Sequence, residues 1–543
     1  MRAVAVAWGS FVLVAALAVA APAQQRNLLI VVADDLGVDY VGAYKEGTNP
    51  PPTPNIDALA ARGVLFRNAW SHPSCSPTRA AVLTGRHPFR TTVGRWISFP
   101  NNRSPEIGTL ADEEWTIPEV LDRANSGYAH ACVGKWHIHD YTFGLDAPRR
   151  LGGFRHFAGS LEGQIPNYTN WVRVVDGVAA PTTNYCTIQN TDDALAWIGR
   201  QTGPWVLYLT YQAPHIPYHA PPASLHTQNL TGLTPQPTTH TPANRPFYRA
   251  MVESLDTELG RLFTRIGAAT LGRTNVVFLG DNGSVQQQAV APFDPSRAKG
   301  TPYEGGINVP LIVAGPDVVS GGREVTALAC SVDVFATALE LTGSGGALPE
   351  HVEHDSVSLV PYLRNPNQSP LRSFAFSEEF TGATWPSPNL NGYAMVRDSR
   401  YKLIRRMTAA DELFDLQLDP FESSNLLQRP LTPQETQAHA ALLNEIARLR
   451  TPKAAVVPYG KSACLGQNGV PSLAARGVPA LGASFELLLQ GAAGGVAAAL
   501  LVGVSMATWN GAPLPIDLSP WGGGSGCLIG SSGEAMAFAT TSS

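Results

Sequence analysis

Four short apolar runs that end in charged or polar residues constrain the fold more than any other sequence feature. They are NLLIVVADD (27–35), YAHACVGKWH (128–137), GPWVLYLTYQAPH (203–215) and NVVFLGDNGS (275–284). A continuous apolar run of this length is typical of a strand buried on both faces. Segments with helical spacing separate the runs, such as IDALAARGVLF (56–66) and the amphipathic FYRAMVESLDTELGRLFTRI (247–266). Strands that alternate with helices predict an α/β fold with a large, mostly parallel sheet between helices.

Acidic and amide side chains directly follow two of these runs. Asp34 and Asp35 end the first run, and Asp281 and Asn282 follow the last strand-like segment. Ligands gather at the carboxyl ends of parallel strands, so these side chains are expected at one sheet edge. Neighbouring carboxylates repel unless a cation compensates, and oxygen ligands suit a hard ion such as Ca²⁺. Either pair alone is typical of a turn, whereas the two pairs together favour a calcium site.

Basic and imidazole side chains follow the other runs. Lys135 and His137 end the second, His215 ends the third, and Lys299 lies in SRAKGTPYEGG. One such histidine alone is more often packed in a core or on the surface than catalytic. Several such groups facing an acidic metal site instead predict a pocket for a tetrahedral dianion, in which histidines transfer protons.

The segment CSPTRAAVLTGR begins at Cys75, which is open to interpretation as a buried thiol, half of a disulfide or a thiolate nucleophile. Pro77 predicts a helix start whose N–H groups point back toward Cys75, and Arg79 lies one turn in. Such an anion site lowers the pKa of a thiol. A soft thiolate beside a hard metal is nevertheless a mismatch. The residue types thus indicate an oxygen nucleophile where the sequence has sulfur, and leave that contradiction open.

The two ends of the chain differ from its middle. Residues 1–23 combine one early charge, an apolar run and an Ala-x-Ala site, which predicts a signal peptide and export to the periplasm or beyond; an uncleaved anchor is the alternative. From about 371, strand-like segments and a helix at 432–450 predict a smaller α+β unit with an antiparallel sheet. The Gly/Ala/Pro-rich residues 456–543 predict a β-type extension, and no membrane span is expected in the mature chain.

Cysteine usage and net charge limit the remaining possibilities. Export permits disulfides, and Cys464–Cys527 is the most plausible pair among the six cysteines. Cys132 and Cys330 lie in apolar runs typical of core thiols. A net charge of −5 over 543 residues, without any Lys/Arg-rich run, argues against a nucleic-acid partner.

These residues together resemble the formylglycine-dependent sulfatases of the alkaline phosphatase superfamily. The family signature, Cys (or Ser)-x-Pro-x-Arg followed by Thr-Gly, is matched by Cys75, Pro77, Arg79, Thr84 and Gly85. Further matches in family order are VVADDLG, GKWHI, PHIPY, GDNGS, KGTPYEGGINVPLIVAGP and VDVFATALELTG. The resemblance implies an alkaline-phosphatase-like catalytic domain over 24–370 and an α+β subdomain over 371–455.

The resemblance also implies the cofactors. In that family a maturation enzyme converts the cysteine during export into Cα-formylglycine, and Cys75 is expected to share this fate. One Ca²⁺ ion would be held by Asp34, Asp35, Asp281, Asn282 and the modified Cys75.

The remaining site residues take roles by the same resemblance. Arg79 would orient the formylglycine hydrate, and Lys135, His215 and Lys299 would bind the sulfate oxygens. His215 or Lys299 would assist the leaving alcohol, and His137 would take the hydrate proton as sulfate departs. The implied reaction is hydrolysis of a sulfate ester by in-line attack of the hydrate oxygen on sulfur.

Some residues depart from the family pattern, and other functions compete. His139 replaces a frequent glycine and Asn308 a frequent arginine, which affects the expected substrate range and local packing. A phosphomonoesterase, phosphodiesterase or phosphonate hydrolase of the same superfamily is the first alternative. Asn282 argues against it, because phosphate-cleaving relatives tend to have histidine there. An inactive protein that binds sulfated glycans is the second alternative.

The alcohol half of the substrate is the least determined feature. A sulfated small molecule or glycan is expected, with a sulfated carbohydrate first because the chain is exported and has an extra β-type unit. Trp96, Arg95, His219 and the 219–245 loop are candidate rim residues by position only.

Overall fold

We describe the fold from a computed structural model of the chain. It describes residues 25–97, 108–139, 141–350, 352–381 and 392–450, together with eight short strands between residues 472 and 540. The expected signal peptide and the Cys464–Cys527 pair lie outside the described residues. In the described part, no helix is long and apolar enough to cross a membrane.

A ten-stranded mixed sheet forms the centre of the larger unit. Its strands are β1 (Asn27–Ala33), β2 (Val64–Trp70), β3 (Ala129–Lys135), β4 (His156–Ser160), β5 (Trp171–Val175), β6 (Val178–Thr182), β7 (Trp205–Thr210), β8 (Thr274–Gly280), β9 (Leu311–Ala314) and β10 (Arg323–Cys330). They lie side by side in the order β10-β2-β9-β8-β1-β7-β3-β4-β5-β6. The four predicted strands are adjacent and parallel at the centre, as β8-β1-β7-β3. The predicted α/β fold class is therefore confirmed.

Helices cover both faces of this sheet. The helices of the larger unit are α1 (Pro54–Arg62), α2 (Cys75–Thr84), α3 (Pro88–Thr91), α4 (Ile117–Arg123), α5 (Ala147–Arg150), α6 (Cys186–Ile198), α7 (Arg245–Leu271), α8 (Glu304–Ile307), α9 (Asp333–Leu341) and α10 (Val360–Arg364), and α11 (Pro433–Arg450) belongs to the smaller unit. Alternate residues of β1 enter two apolar layers. Leu29 and Val31 pack with α1, α6 and α7, whereas Leu28 and Ile30 pack with α2, α4 and α9. This two-sided burial explains why the strand is apolar at every position.

One predicted helix is shorter than its sequence pattern. The helical spacing over 56–66 indicates a single helix, but α1 ends at Arg62 and β2 begins at Val64. A Cβ on Gly63 would come within 2.5 Å of the Val313 carbonyl oxygen, so the backbones approach closely at this glycine. Pairing with β9 and β10 thus overrides the helical pattern, because strand pairing depends on neighbours that the local sequence does not reveal.

A four-stranded antiparallel sheet forms the predicted smaller unit. It contains β11 (Ala375–Phe380), β12 (Gly392–Arg397), β13 (Tyr401–Arg406) and β14 (Glu412–Asp415), in that order. One face packs against α11 through Leu442 and Ile446, and the other contacts Trp70 and Ile307 of the larger unit.

The described parts of the C-terminal extension are β-strands in antiparallel pairs. They are β15 (Ser472–Arg476), β16 (Glu486–Gln490), β17 (Ala497–Val502), β18 (Thr508–Trp509), β19 (Ala512–Pro513), β20 (Ile516–Asp517), β21 (Leu528–Ile529) and β22 (Ala535–Thr540). The pairs are β15-β16, β17-β22, β18-β19 and β20-β21. The strand β16 lies within SFELLLQG (484–491), in the extension for which the sequence predicts β-type structure.

Candidate active site

Three strands and one helix bring the predicted site residues to one edge of the sheet. Asp34 and Asp35 follow β1, Asp281 and Asn282 follow β8, and Lys135 ends β3. The helix α2 begins at Cys75. The backbone N–H of Asp35 donates a 3.0 Å hydrogen bond to Asp281 Oδ1, which ties the two acidic strand ends together.

Cys75 is buried among carboxylates. Its Sγ lies 3.3 Å from Asp34 Oδ1 and 4.0 Å from Asp35 Oδ1. Burial raises the pKa of this thiol well above its ordinary value, and Asp281 and Asp34 raise it further. The expectation that a helix start and Arg79 would lower the thiol pKa is therefore wrong. The surrounding carboxylates and the loss of water outweigh the helix terminus.

Arg79 is fully buried and organises the acidic cluster. Its Nε and Nη2 donate to Asp281 Oδ2 at 3.0 and 2.7 Å, and its Nη1 donates to the Lys135 carbonyl at 3.0 Å. Burial alone would lower the pKa of Arg79, but Asp281 and Asp34 raise it above its ordinary value. A permanently charged guanidinium thus fixes the end of β8 relative to the end of β3.

Two lysines contact the adjacent aspartates. Lys135 Nζ lies 2.6 Å from Asp34 Oδ2, and Lys299 Nζ lies 2.5 Å from Asp35 Oδ1. Burial raises the pKa of Asp34 to about 7, although Lys135 opposes the shift. Burial also acts on Asp35, but there Lys299 and then His215 outweigh it and lower the pKa below the usual range. Burial and the lysine contacts therefore shift the pKa values of the two neighbouring carboxyl groups in opposite directions.

The two candidate histidines are held by backbone carbonyls, which define their neutral tautomers. His137 Nε2 donates to the Ile97 carbonyl at 2.7 Å, so Nδ1 carries the lone pair. His215 Nδ1 donates to the Ile216 carbonyl at 2.8 Å, and its Nε2 lies 3.8 Å from Asp35 Oδ2. Burial lowers both pKa values well below 6.5. Both rings are consequently neutral and able to accept a proton at neutral pH.

The cluster has the donor chemistry of a hard-cation site. Ligand atoms from Asp34, Asp35, Cys75 and His215 all lie within 4.8 Å of one another. Asp35 Oδ2 and Asn282 Oδ1 are buried and lack a hydrogen-bond partner within the described chain. Unpartnered buried acceptors cost free energy, and a divalent cation satisfies them. The residues therefore fit a divalent cation that prefers oxygen ligands, such as Ca²⁺. Of the four predicted oxygen ligands, Asp34 and Asp35 lie in this group, whereas Asp281 accepts hydrogen bonds from the Asp35 N–H and from Arg79.

The candidate rim residues fall into two groups. His219 is packed inward: its ring stacks on Tyr168 with centroids 4.2 Å apart, and its Nε2 lies 3.0 Å from the Tyr185 hydroxyl. Trp96 is 42% exposed, and the Arg95 guanidinium lies 5.2 Å from its ring centroid. Trp96 and Arg95 therefore remain candidates for contact with substrate, whereas the His219 ring is engaged within the protein.

Sequence reasoning missed Glu379, a buried carboxylate contributed by the smaller unit. Its Oε1 lies 3.7 Å from Arg95 Nε. Burial raises the pKa of Glu379 to about 7, while Ser74, Arg95 and Lys299 oppose the shift. An acidic pair inside the apolar strand SFAFSEEF was the signal available in the sequence. The position of this pair in the folded protein could not be inferred, because it depends on how the two sheets pack together.

The remaining positions of interest are buried. Cys132, Cys186 and Cys330 are free thiols in the core, as predicted for Cys132 and Cys330. His139 and Asn308, which depart from the family pattern, are also buried.

The described fold and the convergent acidic and basic strand ends define a hydrolase of the alkaline-phosphatase-like class. Comparison with known proteins identifies the family. Residues 26–344 match the Sulfatase family model, and residues 298–451 match the model for the C-terminal region of N-sulphoglucosamine sulphohydrolase. The chain belongs to the sulfatase family and is a sulfuric ester hydrolase.

Individual relatives agree with this membership. N-acetylgalactosamine-6-sulfatase of Canis lupus familiaris is 30% identical over 64% of this chain and 68% of the relative. Arylsulfatase A of Homo sapiens is 30% identical over 83% of this chain and 92% of the relative.

Solved structures support the fold. A sulfatase from a Pseudoalteromonas species has a TM-score of 0.61 at 21% identity, covering 79% of this chain and 92% of its own. A protein crystallised with its substrate D-glucosamine-2-N,6-O-disulfate has a TM-score of 0.62 at 21% identity, covering 78% and 98%.

Proposed function

We propose that this chain hydrolyses sulfate esters of carbohydrates, with Cys75 matured to Cα-formylglycine and one Ca²⁺ ion bound at Asp34, Asp35, Asp281 and Asn282. The observation that carries the proposal is the position of Cys75 at the start of α2, with Sγ 3.3 Å from an Asp34 oxygen. A thiol with a raised pKa is a poor nucleophile in this surrounding, whereas an oxygen group there suits a hard metal.

Formylglycine supplies an oxygen nucleophile when its aldehyde is hydrated, and Ca²⁺ supplies positive charge next to the sulfate. The chain's own cations bind and orient the substrate. Lys135 and Lys299 end within 2.6 Å of the aspartates, so their charges border the position of an anion bound beside Cys75. Preorganised charges of this kind stabilise the charge that develops in the transition state.

The neutral histidines move the protons. His137 offers a buried Nδ1 that has no hydrogen-bond partner among the described residues, and it is the proposed proton acceptor. His215 carries its lone pair on Nε2 beside Asp35 and is the candidate partner of the leaving oxygen, together with Lys299.

The similarity to N-acetylgalactosamine-6-sulfatase supports a sulfated carbohydrate as the substrate. The signal-peptide pattern of residues 1–23 supports export and an encounter with a formylglycine-generating enzyme on the way. We retain the domain limits 24–370, 371–455 and 456–543 as part of the proposal.

Hydrolysis of matched esters tests the function. The protein, coexpressed with a formylglycine-generating enzyme, should cleave 4-nitrophenyl sulfate and sulfated sugars in the presence of Ca²⁺. 4-Nitrophenyl phosphate is the matched control, because it tests the competing phosphoesterase function. A clear preference for the phosphate ester would contradict the proposal.

A further inference from the structure

We propose that Glu379, Trp96 and Arg95 form the subsite for the alcohol half of the substrate, and that this half is a pyranose with free hydroxyl groups. In this subsite, Glu379 accepts a hydrogen bond from a hydroxyl group near the sulfate ester, and the ring packs against Trp96. Arg95 is a positioning residue. The inference rests on the proposed sulfatase function and extends it to the part of the substrate that carries no sulfate.

The strand pattern of β11 directs Glu379 toward the catalytic unit. Side chains alternate between the two faces of a strand. Glu378 faces α11, where its Oε2 lies 2.6 Å from Arg450 Nη2. Ser377 faces the catalytic unit and donates a 2.7 Å hydrogen bond to the Ser71 carbonyl. Glu379 is two residues beyond Ser377 and shares its face.

The neighbours of Glu379 connect it to the nucleophile segment. Its cross-strand partner is Tyr393, whose hydroxyl donates a 2.7 Å hydrogen bond to the Gly300 carbonyl. The Gly300 N–H in turn donates a 2.9 Å bond to the Pro73 carbonyl. Gly300 follows Lys299, and Pro73 lies two residues before Cys75. The carboxylate of Glu379 thus stands beside the two segments that carry the nucleophile and a sulfate-binding lysine.

Glu379 has unused hydrogen-bonding capacity. Only 9% of the residue is exposed, and its Oε2 has no hydrogen-bond partner among the described residues. The contact between Arg95 Nε and Oε1, at 3.7 Å, is too long for a hydrogen bond. The Ser74 hydroxyl lies close enough to lower the pKa of Glu379, but Ser74 Oγ also has no hydrogen bond of ordinary geometry among the described residues. A buried carboxylate oxygen without a donor is costly, and a substrate hydroxyl group removes that cost.

Three hydrogen bonds hold the segment that carries Arg95 and Trp96 in place beside the candidate active site. The Gly94 carbonyl accepts a 3.0 Å bond from the Phe380 N–H, next to Glu379. The Ile97 N–H donates a 3.1 Å bond to Ser76 Oγ, and the Ile97 carbonyl accepts from His137. Trp96 is 42% exposed within this fixed segment, with the Arg95 guanidinium over its ring.

This combination favours a sugar over an aryl group. An indole ring packs against the C–H face of a pyranose, and a carboxylate accepts hydrogen bonds from its hydroxyl groups. A phenyl ring would also pack on Trp96, but it would leave Glu379 facing an apolar surface without a donor. A site built around a hydrogen bond discriminates strongly against analogues that lack the donor.

The test uses the formylglycine-bearing enzyme with Ca²⁺ and a panel of pyranosides, each sulfated at one position: galactose, glucosamine, N-acetylgalactosamine and fucose. The best substrate is compared with its analogues that lack one free hydroxyl group, and with 4-nitrophenyl sulfate. Glu379→Gln should lower kcat/KM for the best sugar about 10–100-fold, and that for 4-nitrophenyl sulfate less than about 3-fold. With the wild-type enzyme, one deoxy analogue should have a kcat/KM that is lower than that of the parent sugar by the same factor. With Glu379→Gln, this analogue and the parent sugar should have equal kcat/KM.

Two further variants accompany Glu379→Gln: one tests the packing of the sugar on Trp96, and the other is a control. Trp96→Ala should raise KM for the sugar about tenfold with little change in kcat. Glu445→Gln is the matched control, because Glu445 is also 9% exposed and paired with an arginine, Arg448, but lies on α11. It should leave both activities unchanged.

Three outcomes overturn the subsite. The first is an equal loss of kcat/KM on sugar and aryl sulfates with Glu379→Gln. The second is that the losses of kcat/KM from the variant and from the missing hydroxyl group add for every deoxy analogue. The third is cleavage of 4-nitrophenyl sulfate without cleavage of any sugar in the panel. Each of these outcomes leaves sulfatase activity intact. An enzyme that carries formylglycine and cleaves no sulfate ester at all would instead refute the proposed function.

Discussion

Two buried clusters in the described part of this molecule combine carboxylates with lysine side chains, yet the carboxylate oxygens of the two clusters differ in their partners. The first is the Asp34–Asp35 cluster at the edge of the large sheet. The second, which we call the interface cluster, consists of Glu304, Glu422 and Lys402 between the two sheets. In it, Lys402 Nζ lies 3.1 Å from Glu304 Oε1 and 2.7 Å from Glu422 Oε1.

Each carboxylate oxygen of the interface cluster has a nitrogen within 3.3 Å. Glu422 Oε1 forms an ion pair with Lys402 Nζ at 2.7 Å, although it has no hydrogen bond of ordinary geometry in the described chain. Trp70 Nε1 lies 3.3 Å from Glu304 Oε2, and the Glu304 N–H donates to Glu422 Oε2 at 2.6 Å. By contrast, Asp35 Oδ2 lies 3.8 Å from His215 Nε2, and neither it nor Asn282 Oδ1 has a hydrogen-bond partner in the described chain. Buried charge alone therefore does not identify a functional site in this protein. Unsatisfied acceptors at convergent strand ends are the distinguishing feature.

The largest expected difference between the clusters is in catalysis. Asp35→Asn should lower kcat/KM for 4-nitrophenyl sulfate by about 10³-fold or more, because it removes a charged metal ligand beside the nucleophile. The variant should stay folded, since the replacement keeps the shape of the side chain. Steady-state kinetics and circular dichroism on the same preparation check both points. Activity within tenfold of wild type would contradict the assigned role of this cluster.

The complementary substitution in the interface cluster should affect stability. Lys402→Met leaves two buried glutamates without their shared cation, which costs about 3–5 kcal/mol of unfolding free energy. Denaturant unfolding measures the loss, and the activity per folded molecule should remain that of wild type. If catalysis falls while stability does not, the two clusters have been assigned the wrong way round.

Removal of calcium sharpens the comparison. A ligand present at 100 times its Kd stabilises the native state by about 2.7 kcal/mol. We therefore expect chelation to lower the Tm of wild type, and re-addition of Ca²⁺ to restore it. Lys402→Met should keep this response and Asp35→Asn should lose it. A wild-type Tm that does not change when Ca²⁺ is removed or added back would argue against a calcium site.

The smallest effect, taken per pH unit, is a pH dependence of the calcium-free protein. The folded-state pKa of Asp34 is raised to about 7 from 3.8, so between these pH values the folded state holds a proton that the unfolded state has lost. Stability from this group is therefore lost as pH rises from about 4 to 7, by about 1.4 kcal/mol per pH unit. Asp34→Asn lacks the effect, and Glu422, whose pKa is also raised to about 7, contributes equally to both proteins. A difference between wild type and Asp34→Asn that stays flat with pH would refute this assignment.

The sequence predicts the centre of the sheet well and its edges poorly. The strands β1, β3, β7 and β8 are apolar at nearly every position because both faces are buried, and that pattern is local. The edge strands β5 and β6 alternate or are exposed, and β2 resembles the end of a helix, so their pairing depends on distant neighbours.

The site shows the same contrast. Residues at the ends of the central strands, such as Asp34 and Asp281, were foreseen together because parallel strands end at one edge. The raised pKa of Cys75 was not foreseen, since it depends on carboxylates brought in by other elements. Glu379 was missed for a related reason: it approaches the site from a second sheet, about 300 positions along the chain from Cys75.

The most direct test of the account is the chemical state of residue 75. Mass spectrometry of the tryptic peptide that contains Cys75, from protein coexpressed with a formylglycine-generating enzyme, should show formylglycine in proportion to specific activity. Cys75→Ala should give neither the modified residue nor sulfate release. An active sulfatase in which residue 75 remains an unmodified thiol would contradict the central claim.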